Sequence, residues 1–460
     1  NDARARYDPN GIGVGVKAEL NAAHRRAQLQ SASSAPPRRV AMFDRPRGLR
    51  GLRNCGNTCF ASACLQSLAH TPPLAEFLLR ESSVGVVDGS PVSKVSKVAS
   101  ATRELVRKIH RSDSVTPSRD AVCPSTFLDA LSTSGGPLDL FTDGDQHDSQ
   151  EFLRFLLDSL DTDFTDVKVT PRYDEEKDDF TEPEPEKATR LWETYRKRTS
   201  SVVVDVFAGQ LRSAVTCHAC GKVSTSYDPF WDLSLPLRRR KGNETGADKN
   251  FPEPSPDKSK TRSTRTSASA SLLSRYMGST LGRSGSSLVR SSARELSSSS
   301  LSVADCLRAF GEDEPLLGTD AFHCPRCHKK GDATKTLSVQ RPPRVLVLHL
   351  KRFQWTNGGR PGRKIDTAVE VPLVLHLREL LSGHRDGRES SGTGALTDPT
   401  YTLFSVINHT GSISHGHYTA TTNVGADEWY DFNDERVSGA GAGPPSNSRN
   451  AYVLFYALKR

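Results

Sequence analysis

The amino-acid sequence predicts an α+β fold, helices first and sheet second. From Gly48 to about Asp166 apolar residues recur at helical spacing. Beyond about residue 190 the apolar runs shorten and fill with β-branched and aromatic side chains, the composition of strands. Two Cys-x-x-Cys pairs, far apart in the chain and both set among those strand-like runs, point to a structural metal in the β-rich half.

Residues 1 to 47 are rich in Arg, Ala, Ser and Pro, with Pro36, Pro37 and Pro46 breaking any pattern, and are expected to be a disordered tail. The helical part starts with Phe60, Cys64 and Leu68 at i, i+4 and i+8, a stripe stopped by Thr71-Pro72-Pro73. A Leu74-Phe77-Leu78 helix follows, then Val95 to Ile109, Pro124 to Leu131, and Gln150 to Leu160 with its Phe152, Leu156, Leu160 stripe. Tyr173 to Lys187, acidic and interrupted by proline, is expected to be an exposed loop. Strands are expected at Val202 to Asp205, Gln210 to Thr216, Lys222 to Tyr227, Leu337 to Val339, Val345 to Leu350, Tyr401 to Asn408, His417 to Thr422, Glu428 to Phe432 and Tyr452 to Leu458. Residues 239–300, rich in Ser, Arg and Lys, carry too little apolar surface to offset the entropy of ordering, and a shorter Gly/Ser-rich insert runs from Ser382 to Thr397.

Hydrophobic content of 35% in 460 residues fits a folded domain diluted by disordered inserts. No apolar run approaches the ~18 residues of a membrane helix, and no secretory segment is visible. The chain therefore reads as soluble and intracellular, cytoplasmic or nuclear, and, starting at Asn1 rather than Met, as part of something longer. Nine cysteines, an odd number, do not form a secreted disulfide framework. The net charge of +8 is concentrated in the expected disordered segments, where a solvated face explains it better than a nucleic-acid interface.

Cys59 follows the turn-forming Gly56-Asn57-Thr58 and opens a helix, where unpaired N–H groups and the helix dipole favour an anion and lower a thiol's pKa. Taken alone it reads as a small buried residue. Its setting changes that reading, because His417 and then Asn433 and Asp434 follow at a distance, the chain order in which papain-type proteases assemble nucleophile, base and orienting group.

The series GLRNCGNTCF, DQHDSQEFL, two Cys-x-x-Cys pairs, GHYTA, WYDFND and AYVLFYAL resembles the signature motifs of the ubiquitin-specific proteases, in order from about Gly48 to Leu458. The resemblance implies a papain-like catalytic domain over residues 48–458: a helical thumb at about 48–166, and a β-sheet palm with zinc-bearing β fingers at about 190–458. It implies thiol-dependent hydrolysis at the C-terminal glycine of ubiquitin through a Cys59 thioester, with His417 as base and then acid. The implied partners are ubiquitin and ubiquitinated proteins, with no membrane or nucleic acid, and a monomeric catalytic domain.

Asn54 matches the family's oxyanion-stabilising amide, although a turn role suits it too. Asn433 matches the third triad position, with Asp434 as second candidate, its alternatives being a turn residue or a partner of Arg436. In an extended strand the two would point to opposite faces. Asp148 and Glu151 form a capping-box pattern, and the resemblance adds that Gln146, Asp148 and Glu151 line the channel for ubiquitin's Arg-containing tail. Tyr418, in the GHY motif, is placed among the substrate-binding residues. Cys217, Cys220, Cys324 and Cys327 suit structural Zn2+, with His218, His323 and His328 as weaker ligand candidates. Cys55, Cys64, Cys123 and Cys306 read as plain thiols. His415 stands where the family usually has a small residue. A protease for another ubiquitin-like modifier, a non-catalytic ubiquitin-binding scaffold and a zinc-ribbon nucleic-acid binder are the alternative functions.

Overall fold

The computed structural model describes residues 46–80, 97–111, 116–118, 120–165, 182–238, 301–354, 362–381, 399–413 and 415–459. The expected tail up to residue 45, the 239–300 insert, the 382–397 segment and residues 173–181 of the acidic stretch lie outside them. The helices Cys59–Ala69, Pro72–Leu79, Lys97–Ile109, Ser125–Ser132 and Ser149–Phe164 stand where the apolar periodicity places them.

The Cys59–Ala69 helix is buried along its whole length. Phe60, Cys64 and Leu68 share one core with Phe152 and Leu156 of the neighbouring helix and with Phe404, Ile407, Val453 and Phe455 of the sheet. Its small residues let both neighbours approach. Ser67 Oγ, back-bonded to the Ala63 carbonyl at 3.0 Å, also accepts from Ser405 Oγ at 2.9 Å, so helix and sheet are joined by polar as well as apolar contacts.

Two expectations fail here. The acidic stretch ends in a helix, Glu184–Arg198, entered through Pro183, with Glu184 and Glu186 in its first turn and Arg196, Lys197 and Arg198 in its last. Those charges complement the helix dipole, and Pro185 is harmless where backbone N–H groups have no helical partner. Only Ala188 is fully buried, so the helix shows almost no apolar stripe. Val202 to Asp205, expected as a strand, lies in the helix Val202–Phe207, which Ser201 caps by accepting from Val204 N at 3.2 Å. Burial of Val203, Val206 and Phe207 outweighs the modest helix penalty of β-branched residues.

The main sheet runs in the order Arg436–Gly439, Glu428–Asn433, Gly416–Gly425, Thr400–Gly411, Ala451–Leu458, Val345–Leu350 and Leu233–Leu235, with Val374–His376 paired beside Thr400–Gly411. Both of its faces are covered. On the Val345–Leu350 strand, Val345 and Val347 face the helical core while Leu346, Leu348 and Leu350 join a second core on the other side. Ala451–Leu458 divides the same way, with Val453, Phe455 and Ala457 toward the helices and Leu454, Tyr456 and Leu458 away, which accounts for its unbroken apolar sequence. Arg352 is entirely buried beside this strand and donates to the carbonyls of Ala451, Ile365, Thr367 and Ser448 at 2.6 to 3.1 Å.

A second antiparallel sheet forms the fingers, in the order Val223–Phe230, Gly209–Cys217, Ala333–Arg341 and Glu314–Leu316. A small hairpin, Phe322–Cys324 with Lys329–Gly331, lies beyond it. No helix among the described residues is long and apolar enough to cross a membrane.

Candidate active site

The segment before Cys59 is held from three sides. Leu52 bridges Val122 in parallel and donates its N–H to Asp434 O at 2.8 Å. Gly51 is required there: a Cβ would lie 2.3 Å from Glu435 O and 2.6 Å from Asp434 O. Asn54 Oδ1 accepts from Gly56 N at 3.1 Å and from Thr58 N and Oγ1 at 3.2 Å, while Gly56 (φ +100°) and Asn57 (φ +50°) turn the chain through the left-handed region. Asn57 Nδ2 donates to Gly144 O at 2.8 Å. The turn delivers Cys59 as the first helical residue, and the Thr58 side chain makes no cap hydrogen bond.

The Cys59 thiol is reached by the Tyr418 N–H and, within the first turn, by the Phe60 N–H. These lower its pKa, yet burial outweighs them and Asp434 adds to the rise, so the thiol sits above its ordinary value. The expectation of a thiol lowered by the helix N-terminus is therefore reversed. With 3% of its surface exposed, the sulfur pays more in lost hydration than the amides return. At rest Cys59 is a thiol.

His417 lies in the Gly416–Gly425 strand, next to the Tyr418 amide that touches Cys59. Its Nε2 is 2.8 Å from Asn433 Oδ1. An amide oxygen only accepts, so Nε2 carries the proton and Nδ1 keeps its lone pair. Asp434 does not point away as a strand alternation would have it. Asn433 pairs with Arg436, so Asp434 sits in the tight turn between them with φ +49°, and its Oδ2 comes within 3.9 Å of His417 Nε2. The same Oδ2 accepts from Asn54 Nδ2 at 2.9 Å. Burial raises the Asp434 pKa against the opposing pull of Asn54 and His417. Two residues that sequence placed in separate roles are thus directly bonded.

His409 and His415 are set apart from this arrangement. The His409 ring fills the space where a Gly416 Cβ would lie, 2.0 Å from its Nε2, and packs on Tyr418 and Phe353. Burial holds its pKa down at about 4, so it is a neutral packing residue. His415 is exposed in the turn closed by Ser412 N to His415 O at 2.9 Å.

Gln146 clamps the backbone beside His417: Oε1 accepts from Gly416 N at 2.9 Å and Nε2 donates to Gly416 O at 3.0 Å. Asp148 caps its helix, accepting from Gln150 N at 2.7 Å and Glu151 N at 3.3 Å, and its other oxygen accepts from the Tyr452 hydroxyl. Glu151 is exposed. Tyr418 is buried, its ring packed at a tilt against those of His409 and Tyr452, so what it offers the site is its backbone N–H. Tyr452 went unnoticed in the sequence, hidden in a continuous apolar run, yet it holds Asp148.

The sulfurs of Cys217, Cys220, Cys324 and Cys327 all lie within 4.8 Å of one another, with Cys217 to Cys327 at 4.0 Å and Cys220 to Cys324 at 3.7 Å. Tetrahedral Zn2+ with bonds of ~2.3 Å separates its sulfurs by about 3.8 Å, so the four thiols fit the metal. Each pair sits in a tight turn, closed by Gly221 (φ +65°) in one and His328 (φ +54°) in the other, whose N–H groups donate to Cys217 O and Cys324 O at 2.9 Å. His218 bonds Thr334 Oγ1 at 2.8 Å instead.

Comparison with known proteins converges on one family. The profile described as ubiquitin carboxyl-terminal hydrolase matches residues 50–456. Ubiquitin carboxyl-terminal hydrolase 2 of Bos taurus is 32% identical over 438 residues, 94% of this chain and 59% of the relative. Ubiquitin carboxyl-terminal hydrolase 21 of Homo sapiens is 31% identical over 425 residues, 89% of this chain and 61% of the relative. The chain thus spans about three fifths of the length of these relatives. Among solved structures, the SAGA Ubp8/Sgf11/Sus1/Sgf73 DUB module bound to ubiquitin aldehyde aligns with a TM-score of 0.57 at 22% identity, over 96% of this chain and 76% of that one, which establishes a shared fold. With a profile match running through Cys59, His417 and the four finger cysteines, this chain belongs to the ubiquitin carboxyl-terminal hydrolase family.

Proposed function

We propose that this protein is a cysteine-type deubiquitinase that hydrolyses isopeptide or peptide bonds at the C-terminal glycine of ubiquitin. The observation that carries the reading is the 2.8 Å bond from His417 Nε2 to Asn433 Oδ1, one residue from the amide that touches the Cys59 thiol. That bond leaves Nδ1 free to take the thiol proton. The thiolate attacks the glycine carbonyl, the imidazolium passes its proton to the leaving amine, and water hydrolyses the thioester with His417 again as base. Asn54, fixed by its turn and by Asp434, has a second amide proton for the developing oxyanion.

In this reading Gln146, Asp148 and Glu151 border the path of the ubiquitin tail. Only Glu151 has its carboxylate free for an arginine, since Asp148 is engaged by its own helix and Tyr452. Cys217, Cys220, Cys324 and Cys327 would hold a structural Zn2+ that fastens the fingers. Ubiquitin and ubiquitinated proteins are the proposed partners, the catalytic domain is monomeric, and the site of action is the cytoplasm or nucleus.

The test is a panel of fluorogenic substrates made from ubiquitin and ubiquitin-like modifiers. Turnover of the ubiquitin substrate, abolished in Cys59→Ala, is expected. Preference for another modifier would move the assignment to that modifier, and ubiquitin binding without turnover by the unaltered protein would make it a scaffold.

A further inference from the structure

We propose that Cys55 and Cys123 are the site of a reversible disulfide at the rim of the catalytic turn, formed by peroxide and separate from both Cys59 and the zinc cysteines. The backbone brings the two together. Val122 N donates to Gly51 O at 2.8 Å and Arg53 N to Val122 O at 2.9 Å, an isolated parallel bridge that holds the two segments together just before Cys123 and three residues before Cys55. Both cysteines are exposed, and their thiols are within hydrogen-bonding reach of each other. The remaining cysteines outside the zinc cluster, Cys59, Cys64 and Cys306, are buried.

The two thiols are unequal in a way that suits stepwise oxidation. Cys123 precedes the Ser125–Ser132 helix, and the Ser125 N–H and hydroxyl stabilise its thiolate, with help from Arg53. Cys55 is shifted the other way, by partial burial and by Cys123 itself, so Cys123 is the thiol that ionises more readily. The thiolate with the lower pKa is the attacking partner. Cys123 sulfur bonds to one oxygen of hydrogen peroxide, the O–O bond breaks, and the departing hydroxide takes a proton to become water, leaving a sulfenic acid. Cys55 sulfur then attacks the sulfenic sulfur, the S–O bond breaks, and a second water leaves with the Cys55 proton. Two thiols have lost two electrons and two hydrogens, and the peroxide has become two waters. The product ties Cys55, the neighbour of Asn54, to the segment at Val122.

The experiment treats the full chain with graded hydrogen peroxide, blocks free thiols with N-ethylmaleimide and maps peptides without reduction. The inference does not depend on the proposed activity, because the readout is a cross-link, and Cys59→Ala protein is run in parallel. A Cys55–Cys123 peptide, two hydrogens lighter than its parts and released by dithiothreitol, is expected at lower peroxide than oxidation of the finger cysteines. In Cys55→Ser protein dimedone should trap a sulfenic acid on Cys123, and in Cys123→Ser protein Cys55 should stay reduced. A Cys55–Cys59 cross-link, or Cys55 oxidation undiminished in Cys123→Ser, would overturn the pair. So would separate over-oxidation of both thiols without a cross-link.

Discussion

Replacing Asn433 with alanine removes the one side chain that fixes the proton on His417 Nε2. In the resting site that is a neutral hydrogen bond, worth about 1 kcal/mol. Once His417 takes the thiol proton the bond becomes charge-assisted, and its loss costs about 1.5–3 kcal/mol. At 1.36 kcal/mol per decade, that spans a fall in kcat of roughly 10- to 150-fold. The His417 side chain is 39% exposed, so water can take part of the lost role, and Asp434 Oδ2 waits at 3.9 Å. Both push the expected loss toward the lower end, roughly 10- to 50-fold, with KM little changed because Asn433 bears on His417 and not on the proposed path of the ubiquitin tail. Asn433→Asp keeps an acceptor in place and should remain within about fivefold of the parent, a loss of up to about 1 kcal/mol. The assay is initial-rate kinetics on a fluorogenic ubiquitin substrate, with thermal unfolding to match stability. If Asn433→Ala keeps its kcat within threefold while Asp434→Ala at equal stability loses far more, the two residues exchange roles.

Three further outcomes follow from the geometry. In Gly51→Ala the new methyl meets two carbonyl oxygens that cannot rotate away, so thermal unfolding should reveal a loss of about 1–3 kcal/mol, and an unchanged melting temperature would refute the close approach. Metal analysis should find one zinc per chain, and Cys324→Ser should lose it together with several degrees of melting temperature; folded, active, zinc-free protein would sink the metal assignment. Because burial raises the Cys59 pKa, its thiolate fraction is small near neutrality and grows as pH rises past the ordinary thiol value. Iodoacetamide should accordingly alkylate Cys59 more slowly than Cys123 at pH 7, with a rate still climbing above pH 9, and Asp434→Asn should move that profile to lower pH; Cys59 reacting first at pH 7 would contradict it.

What the sequence made legible was whatever repeats at a fixed period or stands at a fixed spacing. The helices from Cys59 to Phe164 and the long strands of the sheet follow from apolar periodicity, and the cysteine cluster from its two turns. The Glu184–Arg198 helix escaped because it is held by end charges and the Arg212 to Glu184 ion pair at 2.9 Å, not by an apolar stripe. Val202–Phe207 escaped because propensity favoured a strand where burial favoured a helix. At the site, no local pattern could reveal that Asp434 leaves the strand alternation, since that depends on a left-handed residue in a turn. Arg352 shows the same limit: a lone basic residue becomes a buried clasp only through carbonyls brought from two other stretches of chain, 365–367 and 448–451. The Cys59 pKa was misread for a related reason, because a helix N-terminus is local and burial is not.

The Ala451–Leu458 strand lies between Thr400–Gly411 and Val345–Leu350, so the last strand along the chain is an interior member of the sheet. On the ribosome this sets an order of events. The Cys59 helix is synthesised before His417, Asn433 and the Ala451–Leu458 strand. A growing chain therefore carries its proposed nucleophile, Cys59, before its proposed base, His417, and both neighbours of the missing strand expose open edges that invite pairing with other chains until it docks. Translation that stops short of Ala451 should yield a product for chaperones and proteases to clear, whereas a chain that includes Ala451–Leu458 can complete the sheet that carries His417 and Asn433.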